Sequence, residues 1–394
     1  GWTGNMMFAF WLIALTGSFD KHILSQLSQV PERGPDGQVR CATAVPAIDK
    51  DDHHTNARLL AKTDCTMRET NPLQQYSPTS GPIHRINTVV HVIHDGNNGW
   101  ISKDCVKKGI EWLTRDFRGR KVGALPPHNV DTRIEFVLVE PIRYHDNAAW
   151  VAQDFYQSGG MWTAMTPSID HTRYMNILIK TPPGGILGVA QFPQLAGQVD
   201  GFMVGTGAWG DCATSGAYNQ GATATHEAGH YLGLYHTFYQ PAGCVAADAP
   251  PRGCYTNGDL ICDTNPEATA IYDCSNRGSC NSVDPISNYM GYSHDACLSG
   301  FTEEQARRMR CSLTSYRSGV YTSSNWVAPP VIGLPSLPPI SPPTKVMCTC
   351  KANWATNLGG TIYTGVGCSN PDGDTRGTWC ISNEGTGCHT PAGV

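Results

Sequence analysis

Eleven residues constrain this chain more than any other stretch: His226-Glu227-Ala228-Gly229-His230-Tyr231-Leu232-Gly233-Leu234-Tyr235-His236. They spell H-E-x-x-H-x-x-G-x-x-H without a mismatch. His226 and His230 are four apart, so on a helix they share one face, and both can reach one metal ion through bonds of about 2 Å. Glu227 precedes His230 by three, which brings its carboxylate near the open coordination position, where it can take a proton from a water held there. Gly233 lacks a Cβ, can adopt positive φ and ends the helix sharply. The turn returns His236 as a third ligand. The spacing predicts a helix over about 221–234, with Thr223 or Thr225 as its cap and with Ala222, Ala224 and Ala228 favouring it. A bare H-E-x-x-H would also fit a helix with two half-buried histidines. The third histidine and the turn glycine argue for a zinc site instead.

The rest of the composition narrows the setting. At 394 residues the chain can hold one large domain plus small extras. A net charge of −5 and the absence of a long basic run give nucleic-acid binding no support. Sixteen cysteines, concentrated in the second half, suit an oxidising compartment. No C-x-x-C pair recurs with finger spacing, so a second zinc site at pairs such as Cys348/Cys350 is disfavoured. Met6 to Leu15 form an apolar run with the length of a signal-peptide h-region, too short to span a bilayer, although no Lys or Arg precedes it. The competing reading is a buried strand or helix. No other stretch is long enough to cross a membrane.

Along the chain, residues from about 19 to 80 read as a polar leader with little core of its own. Arg85 to His94, Asp131 to Glu140, Tyr174 to Lys180 and Val199 to Val204 read as strands. Ser102 to Phe117 reads as a helix capped by Ser102, with Val106, Ile110, Leu113 and Phe117 on one face. Phe301 to Arg317 reads as another, and Thr302 and Gln305 have capping-box spacing. The proline-rich residues 327–344 read as a stiff linker.

A second signal lies downstream in Ser287-Asn288-Tyr289-Met290-Gly291-Tyr292. With the zinc motif it resembles the metzincin metallopeptidases, and within them the pappalysin-like (cytophagalysin/ulilysin-like) group. The resemblance extends from about Arg85 to Arg317. It rests further on Thr223-Ala224-Thr225, Cys262-Asp263-Thr264-Asn265-Pro266-Glu267, Asp284-Pro285-Ile286, Cys297, and Phe301-Thr302 with Gln305 and Met309. It implies an α+β fold: a metzincin-type catalytic domain with a mixed twisted sheet over the active-site helix and an irregular lower subdomain. Carried over, His226, His230 and His236 hold one Zn2+, Glu227 is the general base and acid, and Met290 supports the site as the Met-turn. Tyr292 either stabilises the developing oxyanion or packs as an aromatic. The family often has Asp where this chain has Gly291, which leaves the loop geometry open. The implied activity is zinc-dependent endopeptidase hydrolysis of peptide bonds in protein or peptide substrates.

Arg40-Cys41-Ala42-Thr43 is similar to the Arg-Cys-Gly-Thr motif of the family's propeptides. The resemblance implies that Cys41 occupies the open zinc position until its segment is removed. The alternative is that Cys41 pairs with Cys65 or another cysteine. The family pattern also implies the disulfides Cys254–Cys280 and Cys274–Cys297. It implies structural Ca2+ in some relatives, for which Asp259, Asp263 and Thr264 offer oxygens; turn and cap roles are the other reading. Some relatives cleave before basic residues by means of an acidic pocket after the Met-turn. Asp295 stands there, but Ala296 is not acidic.

The tail, with Cys368-Ser369-Asn370-Pro371-Asp372-Gly373-Asp374 and Gly377-Thr378-Trp379-Cys380, resembles kringle and fibronectin type II modules. This implies a protein or carbohydrate ligand near Trp354, Tyr363 and Trp379, against a disulfide-stapled knob with Trp379 as its core. The expected plan is therefore a signal peptide at 1–18, a propeptide at 19–84, a zinc peptidase domain at 85–326, a linker at 327–344 and a cysteine-rich module at 345–394. The expectation is a secreted, extracellular zymogen; the competing expectation is a secreted binding or adhesion protein whose peptidase domain is silent.

Overall fold

The computed structural model describes residues 33–43, 65, 67–71, 73–122, 129–153, 170–195, 200–212, 214, 216–239, 244, 254–255 and 258–324, together with strand segments at 353–358, 361–366, 379–381 and 387–389. The apolar run Met6 to Leu15, the linker at 327–344, and Cys348, Cys350 and Cys368 lie outside the described residues, as do the side chains of Trp354, Tyr363 and Trp379. Two compact units divide the chain, Gly1–Trp326 and Val327–Val394.

Among the described residues of the first unit, the one-turn helix α1 (Met67–Thr70) comes before the long strand β1 (Ile83–His94). The helix α2 (Lys103–Phe117) follows, then β2 (Ile134–Leu138), β3 (Arg143–Asp146), the short α3 (Ala148–Ala152) and β4 (Met175–Lys180). Next come β5 (Gly188–Ala190), β6 (Gly201–Gly205) and the helix α4 (Ala222–Tyr231). A small hairpin, β7 (Gly278–Ser279) with β8 (Ser282–Val283), precedes α5 (Glu303–Tyr316) and β9 (Tyr321–Ser324).

Seven strands form one mixed sheet with the path β2-β1-β4-β6-β5, while β3 and β9 also pair with β1. The pairs β1–β2, β1–β4 and β4–β6 are parallel, with Thr88 opposite Met175 and Asn176 opposite Gly201. At the far edge β5 turns antiparallel, with Gly188 opposite Val204. All six residues of β4 are buried, as expected for a parallel strand covered on both faces.

Local chemistry explains the helices. Ser102 accepts the Cys105 amide, and Val106, Ile110, Leu113 and Phe117 bury one face of α2. Thr302 and Gln305 complete a reciprocal capping box at the start of α5. The helices α2 and α4 pack together, and Phe117, Ile134, Phe202, Tyr231 and Phe301 share the main core with residues of both.

Two local expectations are corrected. The strand expected over 131–140 is limited to 134–138, because the Thr132 hydroxyl turns to the Phe117 carbonyl and Asp131 to Arg118. The cap of α4 is Gly221, not Thr223 or Thr225. Both threonines lie inside the first turns and use their hydroxyls elsewhere: Thr225 donates to Asp116 of α2 at 2.8 Å, and Thr223 accepts from Arg40. The free amide of Ala222 is satisfied at long range by the Asp295 carboxylate, 3.2 Å away.

Five disulfides join described cysteines: Cys65–Cys311, Cys105–Cys212, Cys244–Cys280, Cys254–Cys262 and Cys274–Cys297. The structure thus joins Cys274 to Cys297 but does not join Cys254 to Cys280. Cys280 sits in the turn of the β7–β8 hairpin with φ 53°, which carries it to Cys244, with Cα atoms 5.1 Å apart. Cys254 has a nearer partner in Cys262, also at 5.1 Å. Asp259 accepts from Thr264 and from the Ile261 amide, and Asp263 accepts from the Glu304 amide, so these oxygens serve as turn and cap acceptors.

In the second unit, β10 (Asn353–Leu358) pairs antiparallel with β11 (Thr361–Val366), and β12 (Trp379–Ile381) with β13 (Gly387–His389). Cys380 stands opposite Cys388 in the second pair.

Candidate active site

The helix α4 carries His226, Glu227 and His230, and every residue of the helix is buried. Beyond it Gly233 takes φ 91°, a conformation that disfavours side chains, and its carbonyl accepts from Arg308 Nε at 2.7 Å. The chain folds back there, and His236 meets the other two imidazoles. The three Nε2 atoms lie 3.0, 3.0 and 3.2 Å apart.

The other ring nitrogens decide what those atoms can do. His226 Nδ1 is 2.7 Å from the Tyr289 carbonyl, and His230 Nδ1 is 2.7 Å from the Leu234 carbonyl. A carbonyl only accepts, so each Nδ1 carries the proton and each Nε2 presents a lone pair. Burial lowers the proton affinity of all three rings, with His230 at about 4, so they stay neutral near pH 7. The lone pairs of His226 and His230 converge with His236 Nε2 at about 3 Å, a spacing that suits a shared cation. With three neutral imidazoles, that donor set fits zinc.

Beneath the site the Met-turn is tied to α5. Asn288 Oδ1 accepts the Met290 amide at 2.9 Å, and the Asn288 and Gln305 side-chain amides exchange two hydrogen bonds at 2.9 and 3.0 Å. The same Gln305 Oε1 accepts the Thr302 amide in the helix cap. Met290 is fully buried, and its sulfur lies against Gly229 of α4. Gly291 closes the turn onto the Asn288 carbonyl at 3.0 Å without the aspartate usual at that position. Tyr292 stands edge-on to His236 with ring centroids 4.9 Å apart.

The segment around Cys41 fills the cleft. Cys41 Sγ and the metal-facing nitrogens of His226, His230 and His236 all lie within 4.8 Å of one another. The alternative pairing of Cys41 with Cys65 is excluded, because Cys65 is bonded to Cys311 and Cys41 is a buried free thiol. Burial, and then the Glu227 carboxylate, push the Cys41 thiol pKa up. The Cys41 carbonyl accepts from the Tyr292 hydroxyl at 3.3 Å. Main-chain hydrogen bonds hold the segment along the sheet edge: Val39 N to Gly185 O, Leu187 N to Val39 O and Ala42 N to Gly188 O, at 3.0, 2.8 and 3.0 Å.

Two neighbours of Cys41 reach further groups, and neither contact was foreseen from the sequence. Thr43 Oγ1 donates to Glu227 Oε2 at 2.9 Å and accepts the Ala190 amide at 2.8 Å. Arg40 enters a closed pocket, where Asp295 pairs with it at 3.2 Å, Thr223 accepts from it and Tyr218 lies under its guanidinium at 4.6 Å. The sequence signals for these residues are the Arg40-Cys41-Ala42-Thr43 motif and the acidic Asp295 after the Met-turn. Glu227 itself is fully buried, and burial raises its pKa to about 8.

Comparison with known proteins agrees with this geometry. The model of peptidase family M43, described as pregnancy-associated plasma protein-A, matches residues 164–314. An extracellular metalloprotease of Arthroderma benhamiae is 32% identical over 267 residues, spanning 65% of this chain and 81% of that protein. The chain belongs to peptidase family M43. As an M43 peptidase it is a zinc metalloendopeptidase with a metzincin-type fold. An extracellular metalloprotease of Pyricularia oryzae is 33% identical over 248 residues, covering 59% of this chain and 76% of the relative. Among solved structures, a promirolysin mutant of Tannerella forsythia superposes with a TM-score of 0.51 at 26% identity, covering 64% of this M43 peptidase and 92% of that chain. No helix among the described residues is long and apolar enough to cross a membrane.

Proposed function

We propose that this M43 peptidase is secreted as a latent precursor and that Glu227 serves as its general base and acid. The observation that carries the reading is the convergence of Cys41 on the three metal-facing imidazoles, with Thr43 bonded to Glu227. A bound zinc ion supplies a Lewis acid and lowers the pKa of water toward neutrality.

The chain's own groups do the rest. Glu227 takes the proton of the attacking water and returns it to the leaving amine. The Tyr292 hydroxyl donates to the oxygen of the reacting peptide. In the latent arrangement it already donates to a peptide carbonyl, that of Cys41. Met290 supports the imidazoles from below.

Latency follows from three contacts made by consecutive parts of one segment. Cys41 takes the open ligand position, Thr43 occupies the base, and Arg40 fills the Asp295 pocket. The removable part ends before Cys65, because the Cys65–Cys311 bond ties residues from 65 onward to α5, where Met67 and Tyr76 are also buried. On this reading the propeptide is shorter than 19–84, and the peptidase unit begins upstream of β1. Once Arg40 leaves, a basic substrate side chain fits the pocket it vacates. The tail module is read as an accessory binding unit for protein or carbohydrate.

The unprocessed Cys41→Ala protein tests the latency reading. It is expected to cleave a mixed peptide pool before any propeptide removal, and an equally latent variant would refute it.

A further inference from the structure

Gly188 opens β5, the edge strand along which the Cys41 segment lies. A glycine inside a strand weakens it and marks a place where another group comes close. The backbone does not demand one here, since Gly188 is not among the positive-φ glycines. A side chain is what the site cannot accept. A Cβ at position 188 would stand 2.5 Å from Glu227 Oε1, 2.6 Å from its Cγ and 2.8 Å from its Cδ. All three distances are well inside van der Waals contact, and they involve the arm of the carboxylate as well as its tip.

Glu227 has little room to retreat. It is rooted between His226 and His230 on a helix packed against β5 and β6, and the side chain is fully buried. Its Oε2 accepts from Thr43, while Oε1 has no hydrogen-bond partner among the described residues and lies on Gly188. The neighbouring strand supplies a contrast: a Cβ at Gly205 of β6 would meet Leu187 O at 3.4 Å and Pro182 Cδ at 3.5 Å, which are ordinary contacts.

We infer that Gly188 is a positioning residue for peptide hydrolysis: its bare Cα lets the Glu227 carboxylate lie flat on the edge strand and sets where the proton is taken. The inference rests on the reading of Glu227 as the base. The Gly188 carbonyl, which accepts the Ala42 amide at 3.0 Å, is left intact by a side chain, so docking of an extended peptide on β5 persists when the base is displaced.

The test uses the full chain and its processed form in five versions: unaltered, Gly188→Ala, Glu227→Ala, Gly188→Ala/Glu227→Ala, and Gly205→Ala. Gly188→Ala is expected to lower kcat about ten- to a hundredfold with KM within about twofold and zinc still stoichiometric. Gly205→Ala is expected to keep kcat. In metal-free protein, Gly188→Ala is expected to lower the melting temperature, and the loss is expected to vanish in the Glu227→Ala background, where no carboxylate remains to clash. Failure of Gly188→Ala to fold, with recovery in the double variant, would show the same clash. A Gly188→Ala enzyme with full kcat, or a stability loss equal with and without the carboxylate, would overturn the inference. Full activity of Glu227→Ala would instead overturn the base reading and leave the stability cycle to decide the contact.

Discussion

Thr43 donates a hydrogen bond to Glu227 at 2.9 Å while its oxygen accepts the Ala190 amide at 2.8 Å. One hydroxyl thus bridges the catalytic helix and the sheet edge inside the closed cleft. Thr43→Val keeps the shape and removes both bonds, leaving the buried Ala190 amide unpaired, at a cost of about 1–3 kcal/mol, and leaving Glu227 Oε2 with only the Cys41 thiol at 3.6 Å. The precursor is expected to lose its hold on the inhibitory segment in part. Residual hydrolysis of a quenched peptide by unprocessed Thr43→Val should exceed that of the unaltered precursor and fall short of Cys41→Ala; equal latency to the unaltered precursor would refute a locking role.

Arg40 in the Asp295 pocket points to substrates with a basic side chain at one subsite. Asp295 also accepts the Gln220 and Ala222 amides at the start of α4, so removing the whole carboxylate would disturb the zinc helix. Asp295→Asn keeps an acceptor and removes the charge. Cleavage-site profiling of the processed enzyme is expected to show enrichment of Arg and Lys at one position, and Asp295→Asn should lower that enrichment about tenfold or more, as expected for losing a buried charge pair. A flat profile for the unaltered enzyme contradicts the pocket assignment.

Cys65 is bonded to Cys311 across a sequence separation of 246 residues. Amino-terminal sequencing of the active form is expected to find a start before Cys65, not at 85. Cys65→Ser should lower the unfolding free energy by about 2–4 kcal/mol, the usual range for a native disulfide. An active species that starts after Cys65 under non-reducing conditions contradicts this boundary.

His91 is buried in β1, with its Nδ1 3.0 Å from His145 Nε2 and its Nε2 3.3 Å from Asn176 Oδ1. Burial, then the His145 and Arg143 charges, lower its pKa from 6.5 to about 3. The unfolded chain therefore binds the proton first as pH falls. The contribution of neutral His91 is fully present above pH 6.5 and is lost as pH drops toward 3. Between pH 7 and pH 4 this costs about 3 kcal/mol. Urea unfolding at both pH values should show a loss smaller by about that amount in His91→Gln than in the unaltered protein. Comparing the two metal-free proteins cancels the acid response of the zinc-site histidines.

Legibility in the sequence followed the range of the interactions. The zinc helix, its sharp end at Gly233 and the capping box of Thr302 and Gln305 are written in residues within a few positions of one another, and local spacing reveals them. The edge strand β5 has three residues, too few for alternation to register, so spacing gives no sign of the strand that borders the site. The start of α4 depends on Asp295, more than seventy positions away, and no local pattern signals that contact. The pairing of Cys254 with Cys262 needed the loop geometry, because several cysteines compete at similar spacing. Thr43 and Arg40 were visible beside Cys41, but their partners Glu227 and Asp295 are brought to them only by the fold.

The most direct measurement is the activity and zinc content of processed Glu227→Gln. The substitution keeps size and polarity and removes the ability to carry the proton. Zinc is expected to remain at one ion per chain, held by His226, His230 and His236, while kcat falls by about 10²–10⁴. Peptide hydrolysis at the unaltered rate with zinc bound would contradict Glu227 as the base, and loss of zinc together with activity would show that Glu227 holds the site together instead of carrying the proton.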